Sequence, residues 1–322
     1  MKIVGYHKHG RRIEKTVKRF LKPAKKYGHS TELYEITPEM IESGHTEVPY
    51  ADLYVVCGWY VSRDLLLNPR LIKDNVLIIS DCSIRPLDYK VTKYNQRYGP
   101  NVYLTISNML NCVGSKYVKL PSNRWKAVKK AHRIHISPWK LNGNIVLVTY
   151  ASDGIYLNHD RNTQAFVNCI KVCIKRGFKV VVCSHPNEVN TDNPYGDASK
   201  MDEFKNLGCK FDVGADKYLN KAICVICYAG TMGFKSTILG IPVFPVLPCF
   251  VSNLYEDYDM TDINKFLDKI PHPNRDKWFN WLAHQQWMYK EVDKGLVWKF
   301  MVEDKNMEFK EDINKNSGDR LC

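Results

Sequence analysis

The residues of this chain with the clearest capacity for chemistry are one carboxylate and a run of cations that follows it. Asp81 ends the apolar segment 75–81, and a carboxylate at the carboxyl end of a buried strand can act as a general base. Residues 89–152 then contain no Asp or Glu but eleven Lys and Arg. A basic surplus without acidic compensation is typical of a surface that binds a polyanion.

The basic charge is concentrated in the first half of the chain. Residues 1–143 hold 25 Lys and Arg against 11 Asp and Glu, whereas residues 144–322 hold 22 against 23. The cations that we expect to contact the phosphate groups of DNA are Arg11, Arg12, Lys116, Lys119, Arg124, Lys126, Lys129, Lys130 and Arg133. His132 and Trp125 lie among them, and an aromatic ring can stack on an extruded base. The alternative is a solvated basic face with Trp125 and Trp139 in the core.

A second candidate site lies in the segment 228–244, YAGTMGFKSTILGIPVF. Its small-residue turn precedes a predicted helix, so the backbone N–H groups of Thr231, Met232 and Gly233 would form an anion site at the helix N-terminus. Gly230 and Gly233 would let a diphosphate approach closely, and Lys235 would add a cation. The alternative is an ordinary strand-to-helix turn, in which glycine is common.

Short apolar runs alternate with helical patterns along the chain, which predicts an α/β protein with parallel strands buried on both faces. The predicted strands are 1–6, 31–36, 51–58, 75–81, 101–107, 144–152, 177–186, 209–213, 222–230 and 241–247. The predicted helices are 12–27, 160–176, one that begins near Thr231, and one or two closing helices within 275–299. The pattern restarts after Gly143, so we expect two Rossmann-like domains, 1–141 and 142–302, and a flexible tail over 303–322.

Composition limits the class of protein further. No apolar run approaches the ~20 residues of a membrane-spanning helix, and the strand MKIVGY at the start lacks the apolar stretch of a secretory signal. The eleven cysteines are scattered, and Cys224 and Cys227 fall inside an apolar strand without a second pair at zinc spacing. We therefore expect a reduced, cytoplasmic protein without a structural metal.

Two Rossmann-like domains with a helical C-terminus resemble the GT-B glycosyltransferases, in which the domains face each other across a cleft. The segment 228–244 resembles the turn, helix and Gly-x-Pro-Val strand of these enzymes. His185-Pro186 resembles the His-Pro motif of bacterial sialyltransferases, Kdo transferases and teichoic-acid polymerases, whose His contacts the donor phosphate or nucleotide. The resemblance implies a nucleotide-sugar donor held by the second domain.

The segment 75–90, NVLIISDCSIRPLDYK, resembles the part of the phage DNA β-glucosyltransferases that carries the catalytic Asp, with two extra residues after Asp81. The segment 148–166 resembles the loop of that family that holds the donor diphosphate, which implies that Ser152 and Arg161 are phosphate ligands. In that family a Glu holds the donor ribose, and the corresponding residues here are Lys235 and Ser236. We therefore include Ser236 among the expected donor-binding residues, and the identity of the sugar stays open.

The sequence thus predicts a glycosyltransferase that moves a sugar from a nucleotide-sugar donor, with a UDP-sugar expected, onto a hydroxymethylated pyrimidine such as 5-hydroxymethylcytosine in phage DNA. Asp81 would be the base, and no motif requires a divalent metal. The implied partner is double-stranded DNA in the cytoplasm of an infected bacterium, and we expect a monomer that does not bind membranes. The alternatives are a bacterial surface-polysaccharide glycosyltransferase and a non-catalytic DNA-binding protein on a GT-B scaffold.

Overall fold

The computed structural model of the chain describes residues 1–8, 11–36, 49–57, 76–80, 103–108, 122–140, 142–150, 159–184, 198–227, 231–246 and 249–300. The chain divides into two compact units. Unit 1 comprises Met1–Ile134 and Asp276–Cys322, and unit 2 comprises His135–Arg275. The prediction instead grouped residues 276–300 with the second domain.

Unit 1 is built on a six-stranded sheet in the order β11-β5-β4-β3-β1-β2. The strands are β1 (Lys2–Lys8), β2 (Ser30–Ile36), β3 (Leu53–Cys57), β4 (Val76–Ser80), β5 (Tyr103–Asn108) and β11 (Gln286–Met288). Strands β1 to β4 pair in parallel. Both β5 and β11 are antiparallel to their neighbours, so the prediction that 101–107 is a parallel strand is wrong.

Helix α1 (Arg11–Ala24) covers one face of this sheet. Val17, Phe20, Leu21 and Ala24 recur at helical spacing and are buried, because this face packs on β1. A Cβ at Gly5 of β1 would lie 2.7 Å from side-chain atoms of both Val17 and Leu21. The absence of that carbon therefore lets α1 lie close to the sheet.

The C-terminal segment completes the core of unit 1. It contains α7 (Asp276–His284), strand β11, α8 (Tyr289–Asp293) and α9 (Leu296–Trp298). Trp298 is fully buried, its ring centroid lies 4.8 Å from that of Phe20, and its Nε1 donates a 2.6 Å hydrogen bond to the Phe20 carbonyl. Residues from both ends of the chain therefore share one hydrophobic core.

Helix α2 (Asn123–Ala131) also belongs to unit 1 and packs on α7. The rings of Trp125 and Phe279 stack with centroids 4.5 Å apart and an interplanar angle of 2°. Val128 lies one helical turn further along the same buried face. The opposite face of α2 is exposed.

Unit 2 contains a five-stranded, fully parallel sheet in the order β10-β9-β6-β7-β8. Its strands are β6 (Ile145–Tyr150), β7 (Lys179–Ser184), β8 (Lys210–Val213), β9 (Ala222–Cys227) and β10 (Val243–Pro245). Its helices are α3 (His159–Lys175), α4 (Ala198–Asn206), α5 (Thr231–Ile238) and α6 (Ile263–Asp268). From β6 the chain proceeds to β7 and β8 on one side, and then to β9 and β10 on the other.

The segment at the start of unit 2 is fixed along the end of α5. Ser137 N–H donates to the Ile238 carbonyl, and Lys140 N–H donates to the Gly240 carbonyl. Arg275 donates to the carbonyls of Ser137 and Thr237 and lies over the Trp139 ring at 4.3 Å. The residues that connect the two units thus have defined partners inside unit 2.

The α/β class and the two Rossmann-like units are confirmed. No helix among the described residues is both long and apolar enough to span a bilayer. The predicted arrangement across a cleft and the functional roles of the two domains stay predictions.

Candidate donor site and polyanion surface

The sheet of unit 2 reverses its strand order between β6 and β9. In open α/β sheets ligands bind outside the carboxyl ends of the strands at such a switch point. Register aligns Thr149 of β6 with Cys227 of β9, and Tyr150 with Ser184 of β7, so these strands end at one edge. Helices α3 and α5, which follow β6 and β9, both begin at this edge.

Helix α5 presents its first turn at this edge. Thr231 is exposed and Met232 is half-buried, and the first N–H groups of any helix lack partners within that helix. The helix dipole adds partial positive charge at the same place. The backbone here can therefore bind an anion such as a phosphate group.

Two residues of α5 that were predicted to meet the donor are buried in the protein, which corrects their assignment. Gly233 is buried, and a Cβ there would lie 2.6 Å from Val251 Cγ2 and 3.4 Å from Cys227 Sγ. Its missing side chain makes room for Val251 and not for a ligand. Ser236 is fully buried as well, so its hydroxyl is not available to a donor that approaches from solvent.

Lys235 has an acidic partner in unit 2. Its Nζ lies 2.8 Å from Asp216 Oδ1, and its side chain is a quarter exposed. Asp216 begins a 3₁₀ turn, Asp216–Lys221, that leads into β9. The positive charge of Lys235, which was predicted to bind the diphosphate, is therefore already partly compensated. The sequence did not indicate this partner.

Ser184, the last residue of β7, was not predicted as a site residue. Ser184 is 6% exposed, and its Oγ has no hydrogen-bond partner among the described residues. A buried hydroxyl without a partner is costly, and this one lies at the edge where the helices begin. Its position directly before His185 was the only available sequence signal.

Several predicted site residues lie outside the described residues. They are Asp81, Ser152, His185 and Gly230 of the catalytic and donor sets, and Lys116 and Lys119 of the cationic set. Arg161 lies in the first turn of α3, and Arg11 and Arg12 lie in the first turn of α1. Their helix positions are described, whereas their roles stay predictions.

The Asp257-Tyr258-Asp259 triplet, which matches a metal motif by letter, serves local structure. Asp259 accepts a 3.1 Å hydrogen bond from the Thr261 N–H and pairs with Lys265 at 2.6 Å. These interactions hold the pKa of Asp259 well below its usual range. Asp262 caps α6 by accepting from the Asn264 N–H. Within the described ranges, no group of three or more His, Cys, Asp or Glu is arranged to hold a metal.

Arg124 is not a surface cation, which corrects its assignment to DNA contact. It is 3% exposed, and its guanidinium forms a bidentate pair with Glu291 at 2.9 and 3.0 Å. It also donates to the carbonyls of Ala283 and Gln286 and lies 4.2 Å from the Trp287 ring centroid. Arg124 therefore joins α2 to the C-terminal segment of unit 1.

The other residues interleaved with the cations are also structural. Trp125 stacks on Phe279, and Trp139 donates a 3.0 Å hydrogen bond to the Pro273 carbonyl. His132 is buried, and burial lowers its pKa to about 4. It is therefore neutral at physiological pH and adds no positive charge to the surface.

Four predicted cations do share one exposed surface. Lys126, Lys129 and Lys130 are exposed on α2 at the i, i+3, i+4 spacing of one helix face, and Arg133, which is also exposed, directly follows the helix C-cap. We refer to these four residues as the α2 cationic row. Among the residues that the structure describes, none of the four pairs with a carboxylate, so their charges are available to a polyanion.

Comparison with known proteins gives remote structural similarity. No family model and no curated protein sequence matches the chain. Among solved structures it is similar to the β-Kdo 2,7 transferase of Thermosulfurimonas dismutans KpsC, at 13% identity and a TM-score of 0.44 over 91% of this chain and 98% of that one. The β-Kdo 2,4 transferase of the same protein has 14% sequence identity and a TM-score of 0.45, over 87% of this chain and 89% of that one. A UDP-GlcNAc 2-epimerase of Methanocaldococcus jannaschii has 11% sequence identity and a TM-score of 0.26, over 92% of this chain and 98% of that one. Similarity at these values carries no conclusion about the function of this chain.

Proposed function

We propose that the protein is a nucleotide-sugar-dependent glycosyltransferase. The observation that carries the proposal is the switch point between β6 and β9, beside which α3 and α5 begin. A nucleoside diphosphate needs donors for its phosphate oxygens, and two helix N-termini at one sheet edge supply them without a metal. Thr231 is exposed, and Met232 and Lys235 are partly exposed, whereas the other residues of α5 are buried.

The way the chain is divided between the units supports the same class. Two Rossmann-like sheets follow each other, and the C-terminal segment returns to the first unit through β11 and Trp298. This return resembles the GT-B arrangement, whose C-terminal helices cross back to the first domain. A single-sheet nucleotide-binding protein would not need the second unit.

Arg161 of α3 and four residues outside the described ranges complete the proposed chemistry. Glycosyl transfer to a hydroxyl requires a base for the hydroxyl proton and a clamp for the departing nucleoside diphosphate. Asp81, directly after β4, is proposed as the base. Ser152, Arg161, His185 and Gly230 are proposed to assist the first turn of α5 in holding the diphosphate.

We propose an anionic surface polysaccharide as the acceptor, because the α2 cationic row provides charge while Trp125 and Trp139, among the described residues, are not available to stack on bases. Trp125 and Trp139 are engaged with Phe279, Arg275 and the Pro273 carbonyl. An enzyme that acts on a base of a duplex must extrude the base or reach into a groove. The aromatic side chains predicted for that task have structural partners.

Hydroxymethylcytosine DNA is the second candidate acceptor. The observation that favours it is the same row of four exposed cations, since phosphate groups of DNA bind such a surface without reading sequence. Duplex DNA and a polysaccharide are distinguished by the acceptor that gains a sugar.

The test is a transfer assay with a panel of nucleotide sugars, an acidic capsular polysaccharide and hydroxymethylcytosine DNA, read by the mass of the products. We expect one donor to transfer its sugar to the polysaccharide. Asp81→Asn should lower the rate about 10²–10⁴-fold, the usual contribution of a general base, while Asp88→Asn should leave it largely unchanged. Sugar gained by the DNA alone would select the second acceptor. Epimerisation of the donor without transfer would contradict the proposal.

A further inference from the structure

The α2 cationic row contains a residue in an unfavourable backbone conformation. Arg133 has φ of 50° and is the only non-glycine residue with positive φ in the described part of the chain. Left-handed backbone brings the Cβ of an L-residue too close to the next carbonyl oxygen. An arginine in this conformation is uncommon.

The hydrogen bonds around Arg133 identify the position as a helix C-cap at which glycine is preferred. Ile134 N–H donates to the Lys129 carbonyl at 2.9 Å, and Arg133 N–H donates to the Lys130 carbonyl at 3.2 Å. This pair of bonds forms a Schellman motif with Arg133 at its left-handed position, which is usually glycine and sometimes asparagine. Ile134 is 3% exposed, so the motif is anchored in unit 1.

The side chains of the row add a second destabilising feature. Lys126 and Lys130 are four residues apart on α2, and like charges at this spacing on a helix repel. Residues 89–152 contain no acidic residue that could separate them. The row therefore combines charge repulsion on the helix with backbone strain directly after its end.

Backbone strain clusters at functional sites, and an anionic ligand would reduce the repulsion between the cations. The buried face of α2 shows the opposite arrangement, because the cation of Arg124 is compensated there by Glu291. The protein thus neutralises the cation that it buries and leaves four cations exposed. A ligand that matches the row must carry several negative charges along a line.

We propose that the α2 cationic row docks an anionic polysaccharide, the acceptor of the proposed transferase, and that Arg133 occupies its left-handed position for the charge it supplies. Only the identity of the occupant as acceptor rests on the proposed function. The polysaccharide is favoured over nucleic acid because Trp125, on the same helix, is stacked on Phe279 and is 6% exposed.

The binding test titrates the full-length protein with polygalacturonate, neutral dextran and a short DNA duplex. We expect polygalacturonate to bind and dextran not to bind. Loss of one exposed cation should weaken polygalacturonate binding roughly 2–5-fold at low salt. The double variant Lys126→Gln with Lys130→Gln should therefore weaken it about tenfold. Lys171→Gln with Lys175→Gln is the matched control, since both lysines are exposed four residues apart on α3 in unit 2. Equal affinity of the row variant and the wild type would overturn the proposal.

The stability test uses Arg133 itself. Arg133→Gly should weaken polygalacturonate binding and yet raise the Tm by about 2 °C at high salt, because relief of the left-handed strain exceeds the entropy that glycine adds to the unfolded chain. Arg133→Lys should retain both the binding and the Tm of the wild type. A lower Tm for Arg133→Gly, or unchanged binding, would contradict the role assigned to Arg133.

The outcomes separate this inference from the proposed function. Row-dependent binding of DNA that is tighter than that of polygalacturonate would overturn the polysaccharide as occupant. Row-dependent polygalacturonate binding in a protein without transferase activity would overturn the proposed function and leave the docking row standing. Transfer to polysaccharide by the row variant at the wild-type rate and affinity would overturn the docking row alone.

Discussion

At the scale of single residues, the role of a cation in this protein depends on which face of its helix it occupies. Arg124 and Lys126 are two residues apart on α2, yet the first is paired with buried Glu291 and the second is exposed. The sequence shows both only as members of a basic stretch. The partner of Arg124 lies 167 residues away along the chain, which no local pattern could reveal.

The buried pair of Arg124 and Glu291 should make a large contribution to stability. Glu291→Ala should lower the free energy of unfolding of unit 1 by about 3–5 kcal/mol, because it leaves an uncompensated buried charge. The double variant Arg124→Met with Glu291→Leu should cost less than either single variant. Lys126→Ala, the exposed control, should change the free energy of unfolding by less than about 0.5 kcal/mol. Denaturant titration checks this, and a similarly small effect of Arg124→Ala would contradict the buried position.

Two buried histidines of unit 1 should make its stability fall in mild acid. Burial lowers the pKa of both His132 and His284 to about 4, from an ordinary value of 6.5. Below about pH 6.5 the unfolded chain takes up protons that the folded protein does not. The stability of unit 1 should therefore decrease between about pH 6.5 and 4, with an upper limit of about 3 kcal/mol per histidine.

Unfolding titrations at several pH values test this expectation. His132→Gln and His284→Gln should each flatten the pH dependence of the unfolding free energy of unit 1. Identical pH profiles for wild type and both buried variants would contradict the account.

At the scale of elements, the sequence predicts what local patterns determine and fails where partners are remote. The five strands of unit 2 were predicted because parallel strands buried on both faces are continuous apolar runs. The direction of β5 was predicted wrongly because an apolar run looks the same in either direction. Strand β11 was missed because it is three residues long and its partner β5 lies far along the chain.

The candidate site divides in the same way. The first turn of α5 could be predicted because a small-residue turn between a strand and a helix has a sequence pattern. The burial of Gly233 against Val251 and the pairing of Lys235 with Asp216 could not, since both partners come from other elements. The Ser184 hydroxyl, at the end of a strand, carried no pattern of its own.

The contact between the start of unit 2 and the end of α5 gives a prediction at this scale. Gly240 has φ of 73°, and a Cβ there would lie 1.9 Å from the Pro138 carbonyl oxygen. Gly208 has φ of 85° with nothing within 4 Å of such a Cβ. Gly208→Ala should cost about 1 kcal/mol from backbone strain, and Gly240→Ala about 1–3 kcal/mol more from overpacking. Equal unfolding free energies for the two variants would show that the segment 135–140 is not packed on α5.

At the scale of the whole molecule, the chain leaves unit 1 after Ile134 and returns to it at Asp276. The sequence indicated two Rossmann-like series correctly because each restarts with an apolar strand. The predicted domain bounds left the closing tryptophans with the second domain, because their partners Phe20 and β5 lie more than 170 residues earlier in the chain.

This organisation predicts which unit a C-terminal substitution affects. Trp298→Ala should destabilise unit 1 by about 3–5 kcal/mol through loss of a large buried side chain. Phe266→Ala, at a buried position in the core of unit 2, is the matched control and should destabilise unit 2 instead. Hydrogen exchange read peptide by peptide measures both effects. Faster exchange in unit 2 peptides of Trp298→Ala would contradict the assignment of the segment.

The central claim is that a nucleotide-sugar donor binds beside the switch point of unit 2 through the first turn of α5. The most direct measurement is calorimetric titration with UDP, GDP, ADP and CMP of the wild type, Thr231→Pro and Thr231→Ala. Proline is tolerated in the first helical position but removes its N–H group, whereas alanine keeps it. We predict that one nucleotide binds, that Thr231→Pro weakens it about 10–100-fold through loss of a charge-assisted hydrogen bond, and that Thr231→Ala changes it by less than about threefold. Equal affinity of all three proteins, or no binding of any nucleotide, would contradict the claim.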